Sequence, residues 1–439
     1  MRRFFRIAAA ALCTLTLTGC SFGASVDSLL TPPERSEEQQ EIYLALQDAV
    51  GTDITLQYPR SGDNLSAFIV TELDEDDETE ALVFYETSEL STSENSLRIG
   101  ILDQVDGAWQ AVYDLPADGA EVESVSVETM GEEEKTIILI GYSSVDQSYQ
   151  SLVAYEFGSG SMTSIFETEY TLFSLDDYDE DEETELLVLN RYTDTEDPTC
   201  VLYRLEGDDA LTVSGKVELR ASFSDYSQVL LSQRDEDTPA IFIDGETGSS
   251  TLQTEILYVD EDGVLTLALD SSEEVEATER QVGYLSTDID GDGVVEIPVL
   301  TNFPGYDEDA SEQVKMTQWY VLDNTTLEEE CRGYYSVSDS CFFKLPLTWY
   351  DKVTAYTDAL TGDIVFCTYD ESTDETGTEL MRYCTLQDEE EIEEREEEGY
   401  MLLHTRGKAY SFMYAVDDGE DLQMSQNELS LWFRFLESA

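Results

Sequence analysis

The feature that most restricts the fold is a recurring unit of about fifty residues along the middle of the chain. Each unit reads as four short hydrophobic segments with a polar or acidic turn after the first. In the first copy these segments are 67–73, 80–85, 97–102 and 109–115, and in the second 122–127, 136–141, 151–157 and 162–166. The third gives 171–175, 185–189, 200–205 and 211–219, and later copies start near Tyr226 and Gln281. Start points near 66, 122, 171, 226 and 281 are separated by 56, 49, 55 and 55 residues. Four strands per unit without a helical period between them is what a β-propeller blade requires. One four-stranded sheet cannot bury both of its faces alone, and stacking neighbours around an axis solves that problem. The sequence therefore predicts a mainly β fold with a β-propeller of about five four-stranded blade-like repeats between 53 and 335. A β-sandwich or β-helix is the competing arrangement.

The segment before the repeats has a different period. Ser36-Glu37-Glu38-Gln39 is a capping box, and Ile42, Ala45, Leu46, Ala49 and Val50 fall on one helical face ahead of Gly51. Helix and repeats form one region, 36–335. Beyond Tyr335 the repeat is lost. Strand-like runs at 353–356, 363–368, 380–385, 401–404 and 410–416 are followed by a second capping box, Ser425 to Glu428. Leu429, Trp432, Phe433 and Leu436 then take helical spacing. Residues 336–439 are expected to form a small α+β C-terminal domain, the alternative being degenerate blades that complete a seven-bladed propeller.

The first residues read as an address. Arg2, Arg3 and Arg6 precede an apolar stretch from Ile7 to Leu17, too short to span a bilayer as a mature helix. Paired arginines also occur in ordinary export leaders, so they do not specify the twin-arginine route. The stretch runs into Leu17-Thr18-Gly19-Cys20, which resembles the lipobox of bacterial lipoproteins. That resemblance implies a signal peptide over 1–19, cleavage before Cys20, lipid on its sulfur and an extracytoplasmic, membrane-anchored product. Residues 20–35, with Thr31-Pro32-Pro33, read as a tether between lipid and fold.

Charge narrows the partners. With 98 acidic and 22 basic residues the net charge is −76, and cleavage removes three arginines and no acids, taking it to −79. No basic footprint exists to replace phosphate counterions, which excludes nucleic acid. An anionic membrane surface repels such a body, so the lipid must do the holding. At 41% hydrophobic and 10% aromatic the chain still has material for cores, which argues against global disorder. The acidity also fits an adaptation to high salt. Asp388–Glu398, with nine acids among eleven residues, reads as a solvated helix face or loop before a docking surface.

Within the repeats the acids form a pattern. In Asp288-Ile-Asp290-Gly-Asp292-Gly293-Val294-Val-Glu296, oxygens at positions 1, 3, 5 and 9 converge if the chain wraps tightly, and Gly293 permits the positive φ that wrapping needs. A carbonyl at Val294 and water would complete a calcium shell. The same spacing recurs at Glu72, Asp74, Asp76 and Glu80, and at Asp177, Asp179, Asp181 and Glu185, each between the first and second strands of its unit. These residues resemble the FG-GAP/VCBS-type repeats of integrin-like β-propellers and bacterial surface proteins. That resemblance covers about 60–335 and implies calcium in such loops. Asp77 and Glu182 stand where Gly293 does, Glu72 replaces the first aspartate, and the turns at 131–135 and 235–239 lack the ligand set. The bland counterpart of each site is a solvated acidic turn.

No Gly-x-Ser-x-Gly, HExxH, Walker A or CxxC pattern is present, and the single histidine, His404, reads as structural or surface. Among the remaining cysteines, Cys331 with Cys341 and Cys367 with Cys384 are the local pairs an oxidising compartment would allow, and Cys200 is left over. The resulting expectation is a non-catalytic, lipid-anchored surface protein with structural calcium, presenting a binding surface to an extracellular protein or glycan. Aromatic clusters at 303–306 and 319–320 would line a glycan face or serve as core. The alternative is a carbohydrate-active enzyme using paired carboxylates on a propeller scaffold.

Overall fold

Runs such as Ala81–Tyr85, Ile137–Tyr142 and Leu186–Leu189 are apolar at every position, and all but glycine among these residues are fully buried. A strand with that character needs cover on both faces of its sheet. The computed structural model describes residues 35–436 apart from 75, 77, 88–95, 145–148, 208–209, 234–237 and 307–312. The leader, Cys20 and the tether up to residue 34 lie outside the described residues.

Six antiparallel sheets of four or five strands follow one another along the described chain, and the fold is mainly β. The first contains Phe68–Thr71, Glu80–Thr87, Leu97–Val105 and Ala108–Pro116, with Ile54–Leu56 extending its first edge. The second contains Glu121–Met130, Lys135–Ser143, Gln150–Gly158 and Ser161–Tyr170, and the third Leu172–Asp176, Glu185–Asn190, Thr199–Glu206 and Ala210–Glu218. The fourth runs from Asp225–Gln233 through Pro239–Glu246 and Thr251–Val259 to Leu265–Leu267, joined at one edge by Arg280–Gln281. In the first three sheets a β-bulge interrupts the hairpin of the third and fourth strands, at Ile101/Leu102, Ala154/Tyr155 and Leu202/Tyr203, and in the fifth one interrupts the pairing of Lys315–Asp323 with Thr326–Ser336 at Trp319/Tyr320.

Alternation along the second strands joins neighbouring sheets. Leu82 and Phe84 meet Ile138, Ile140 and Tyr142 in one core, while Ile137 and Leu139 on the opposite face meet Leu186 and Val188. Leu187 and Leu189 pack in turn on Ile241 and Ile243 of the fourth sheet, a core that extends to Val295 and Ile297. The free face of the first sheet is covered differently. Ile42 and Leu46 of the N-terminal helix Glu37–Val50 pack on Ala81, Val83 and Tyr85, and the expected capping box between Ser36 and Gln39 is formed. A helix therefore stands where a closed ring would put its last sheet.

The C-terminal part departs from the sequence expectation in detail. The fifth sheet, Ile297–Asn302, Lys315–Asp323, Thr326–Ser336 and Cys341–Lys344, runs across the expected boundary at 335/336. The five strand-like runs beyond it form one sixth sheet, which shares a core of Phe303, Phe343, Phe366 and Met381 with the fifth. Helix Gln426–Ser430 ends early, and Phe433–Phe435 becomes a strand on the edge of Cys341–Phe343. Edge hydrogen bonds and the stack of Phe433 on Phe343, 4.6 Å between centroids, outweigh the helical spacing read from the sequence. His404 stacks on Phe435 at 4.5 Å, a structural role.

One expectation is corrected. All five described cysteines are free, buried thiols. Cys341 pairs in register with Ser336, five residues along the strand from Cys331, and Cys367 lies four residues from Asp363, the position facing Cys384. At ~3.3 Å per residue these offsets far exceed the ~7 Å limit for a disulfide. Phe303 and Trp319 are buried in core clusters, the default reading of those aromatics.

The helix cap is testable by truncation. Leu46→Ala is expected to lower stability by about 2–5 kcal/mol, measured by urea unfolding, because Leu46 is fully buried against the first sheet.

Candidate metal centres in three acidic loops

The acidic segments of the first and third sheets join the first and second strands, and in the fifth sheet the isolated Thr287–Glu296 bridge takes the place of such a first strand ahead of Ile297–Asn302. Their wrapping begins at position 1. Glu72 Oε1 accepts from the N–H groups of Asp74 (3.1 Å) and Asp76 (3.2 Å). Asp177 accepts from Asp181 and Glu182, and Asp288 from Gly291, Asp292 and Gly293 at 2.6–3.1 Å. Gly293 takes the expected positive φ, +93°. Glu182 in the third sheet holds the same left-handed region at φ +71°, so the turn is kept at the cost of local strain. Asp77 lies outside the described residues.

Position 2 does not show in the ligand pattern, yet it anchors the loop. Leu73, Tyr178 and Ile289 are buried core residues, and each donates its N–H to the position-9 glutamate. These bonds are Leu73 to Glu80 (2.7 Å), Tyr178 to Glu185 (2.9 Å) and Ile289 to Glu296 (2.8 Å), each on Oε2. The fifth-sheet loop is also held from the fourth sheet. Ser286 donates to the buried Asp244, which pairs with the buried Arg280 at 2.8 Å, and Val295 donates to Ser232.

The carboxylates that come together are Asp288, Asp290, Asp292 and Glu296; Glu72, Asp74 and Glu80; and Asp177, Asp179 and Glu185, with one oxygen from each within 4.8 Å of the others. Asp76 and Asp181 stay outside these groups and accept instead from Glu78 and Glu183 N–H. Val294 is drawn in through its N–H, which donates 2.9 Å to Asp292. In all three loops the same two oxygens are buried without a hydrogen-bond partner: Oδ1 at position 3 (Asp74, Asp179, Asp290) and Oε1 at position 9 (Glu80, Glu185, Glu296). Buried polar atoms in folded proteins are ordinarily satisfied. Hard oxygens that converge in this way are of the kind that suits a cation such as calcium.

Burial shapes the electrostatics. It pushes Glu80 up to about 7, with Asp74, Glu72 and Asp103 adding their charges and the Leu73 N–H opposing. Glu185 rises to about 8, again mainly by burial, with Arg204 opposing. Glu296 is also raised, first by burial and then by the neighbouring Glu330. Asp103, Arg204, Glu330 and Lys344 are outside the loop motif. Register is the signal that would find the first two. The Ala81–Leu102 pair sets Asp103 across from Glu80, and the Leu186–Tyr203 pair sets Arg204 across from Glu185. Glu330 is the residue skipped by the fifth-sheet bulge.

No family model and no curated protein matches the chain. Among solved structures, a protein from Lactobacillus plantarum is similar at 9% identity and a TM-score of 0.29, covering 72% of this chain and 84% of that one. The β-propeller domain of the Trilobed protease from Pyrococcus furiosus, described as having an open velcro topology, is similar at 13% identity and a TM-score of 0.28, covering 73% and 79%. At these TM-scores neither likeness carries an argument about this chain.

The raised glutamates give a signed pH effect. A carboxyl that holds its proton more tightly when folded stabilises the fold below its unfolded value near 4.5, and that contribution is lost as pH rises through the folded value. Metal-free protein is therefore expected to lose melting temperature between pH 5.5 and 8.5. Glu80→Gln with Glu185→Gln should flatten the slope in calorimetry with chelator.

Proposed function

We propose that this is an exported bacterial lipoprotein whose repeated β body is braced by calcium in its acidic loops and presents a binding surface to an extracellular protein or glycan. Calcium is structural in this reading. It supplies the charge that the buried carboxylates lack and fixes the turn that aligns the first and second strands. The observation that carries it is the recurrence of the same two unpartnered buried oxygens in three loops at the same place in their sheets. The resemblance of Asp288–Glu296 to FG-GAP/VCBS-type loops supports the choice of cation, and the leader ending in Leu17-Thr18-Gly19-Cys20 supports the anchor.

Two measurements test this. Thermal unfolding of the mature chain at fixed ionic strength is expected to show a melting point that climbs with calcium and not with magnesium. Asp290→Ala with Asp292→Ala should remove the share contributed by the fifth-sheet loop. Equal action of the two cations, or none, would reduce the loops to solvated acids. For the anchor, the chain expressed with its leader should partition into the detergent phase, and Cys20→Ser should move it to the aqueous phase.

A further inference from the structure

The three loops share their orphaned oxygens but differ in what stands beside them. In the first sheet the residue across from Glu80 is Asp103, whose Oδ1 is itself buried without a partner. Glu80 is 0% exposed, and among the described residues no lysine or arginine forms an ion pair with Glu72, Asp74, Asp76, Glu80 or Asp103. The loop therefore brings Glu72, Asp74 and Glu80 together with the charge of Asp103 beside them, and no ion pair to these four forms among the described residues.

In the third sheet the matching residue is Arg204. Its Nη2 donates to Asp179 Oδ2, its Nη1 lies 3.7 Å from Asp181 Oδ2, and its Nε lies 3.4 Å from Glu185 Oε1. One guanidinium thus spans two carboxylates of the converging group, Asp179 and Glu185, and Asp181 beside them. The fifth sheet is intermediate. Lys344 Nζ reaches Asp290 (3.3 Å) and Glu330 (3.8 Å), leaving Asp288, Asp292 and Glu296 outside its ion pairs.

The sixth sheet shows how an arginine settles such a turn. Between Val353–Thr357 and Ile364–Asp370, the fully buried Asp363 accepts from Arg395 (3.1 Å) and Tyr400 (2.7 Å), and Asp358 pairs with Arg382 (3.0 Å). No oxygen of Asp358 or Asp363 is buried without a partner. A guanidinium is always charged and reaches several carboxylates at once. A divalent cation entering beside it would meet a like charge and strip it of its partners, which disfavours the metal.

We propose that Arg204 is a built-in cation that keeps the 177–185 loop free of metal, whereas Asp103 makes the 72–80 loop the tightest divalent-cation site in the chain. The fifth-sheet loop, with one lysine at its margin, is the second and weaker site. This rests on the calcium function proposed above and divides it among the loops.

The test is calorimetric titration of calcium into the chelator-stripped mature chain, with circular dichroism checking that each variant folds. The wild type is expected to bind two ions per chain and Arg204→Gln three. Asp103→Asn should keep two ions but weaken the tighter one at least tenfold. Three ions on the wild type, or a folded Arg204→Gln still at two, would overturn the division while leaving calcium binding intact. No calcium on any of the proteins would overturn both readings. Should Arg204→Gln fail to fold, Asp103→Asn decides: a weakened site sustains the inference and unchanged affinity overturns it.

Discussion

The second strands of the first four sheets are buried on both faces, and much of the molecule follows from that constraint. In Ala81–Tyr85 the odd positions face the N-terminal helix and the even positions face the second sheet. A sheet with two apolar faces is satisfied only by a neighbour on each side, so the units are driven into sequence order and the first must recruit a helix. The same constraint reaches the loops. The residue that opens a doubly covered strand is itself covered, and in the first and third sheets that residue is a glutamate, Glu80 or Glu185; in the fifth the buried Glu296 stands just ahead of Ile297–Asn302, whose first two residues are buried. The backbone satisfies one oxygen through a position-2 residue whose side chain is already committed to the core, and the other is left facing the remaining acids of the turn.

Such a cluster cannot stay fully ionised without relief. Two carboxylate charges less than 5 Å apart repel by about 3–4 kcal/mol at an effective dielectric of 20, and each loop contains several such pairs. Three reliefs exist: a retained proton, a side-chain cation or a bound ion. The upward shifts of Glu80 and Glu185 are the first in prospect, since each shift means a proton held where nothing better is available. Arg204 and the pair Arg382 and Arg395 are the second. The loops thus form a series in which the counter-charge carried by the protein differs while the backbone turn is nearly constant.

Much of this was legible in the sequence because it follows from period. Two-residue alternation, unit spacing and the capping box at Ser36 each map onto the structure directly. The 1-3-5-9 spacing also located three loops at one structural position, although Asp76 and Asp181 turn to their own backbone instead of the cluster. Illegible features depend on pairing across strands. Asp103 lies 23 residues beyond Glu80 and Arg204 lies 19 beyond Glu185, and only the register brings them opposite. The bulge that presents Glu330 leaves no mark in hydrophobic pattern. Phe433–Phe435 had helical spacing and became a strand because the open edge of Cys341–Phe343 was available to it, which no local pattern records.

The net charge of −76 is therefore a poor guide to where cations matter in this protein. Helix Glu389–Glu397 has the densest run of acids, yet none of its residues is buried and Arg395 ties it to Asp363 and Glu398. Charges of that kind sit in water and are screened within a Debye length of about 8 Å at physiological salt, so any electrolyte serves them equally. The acids at positions 3 and 9 of the loops differ in kind. One oxygen of each is sealed from solvent, and the position-9 glutamate is also fixed by a backbone bond, so bulk salt screens these charges less well than a cation placed among them. That exclusion of water sets these acids apart from the surface charge, and in the first and third sheets it comes from the two-sided burial of the strand that follows.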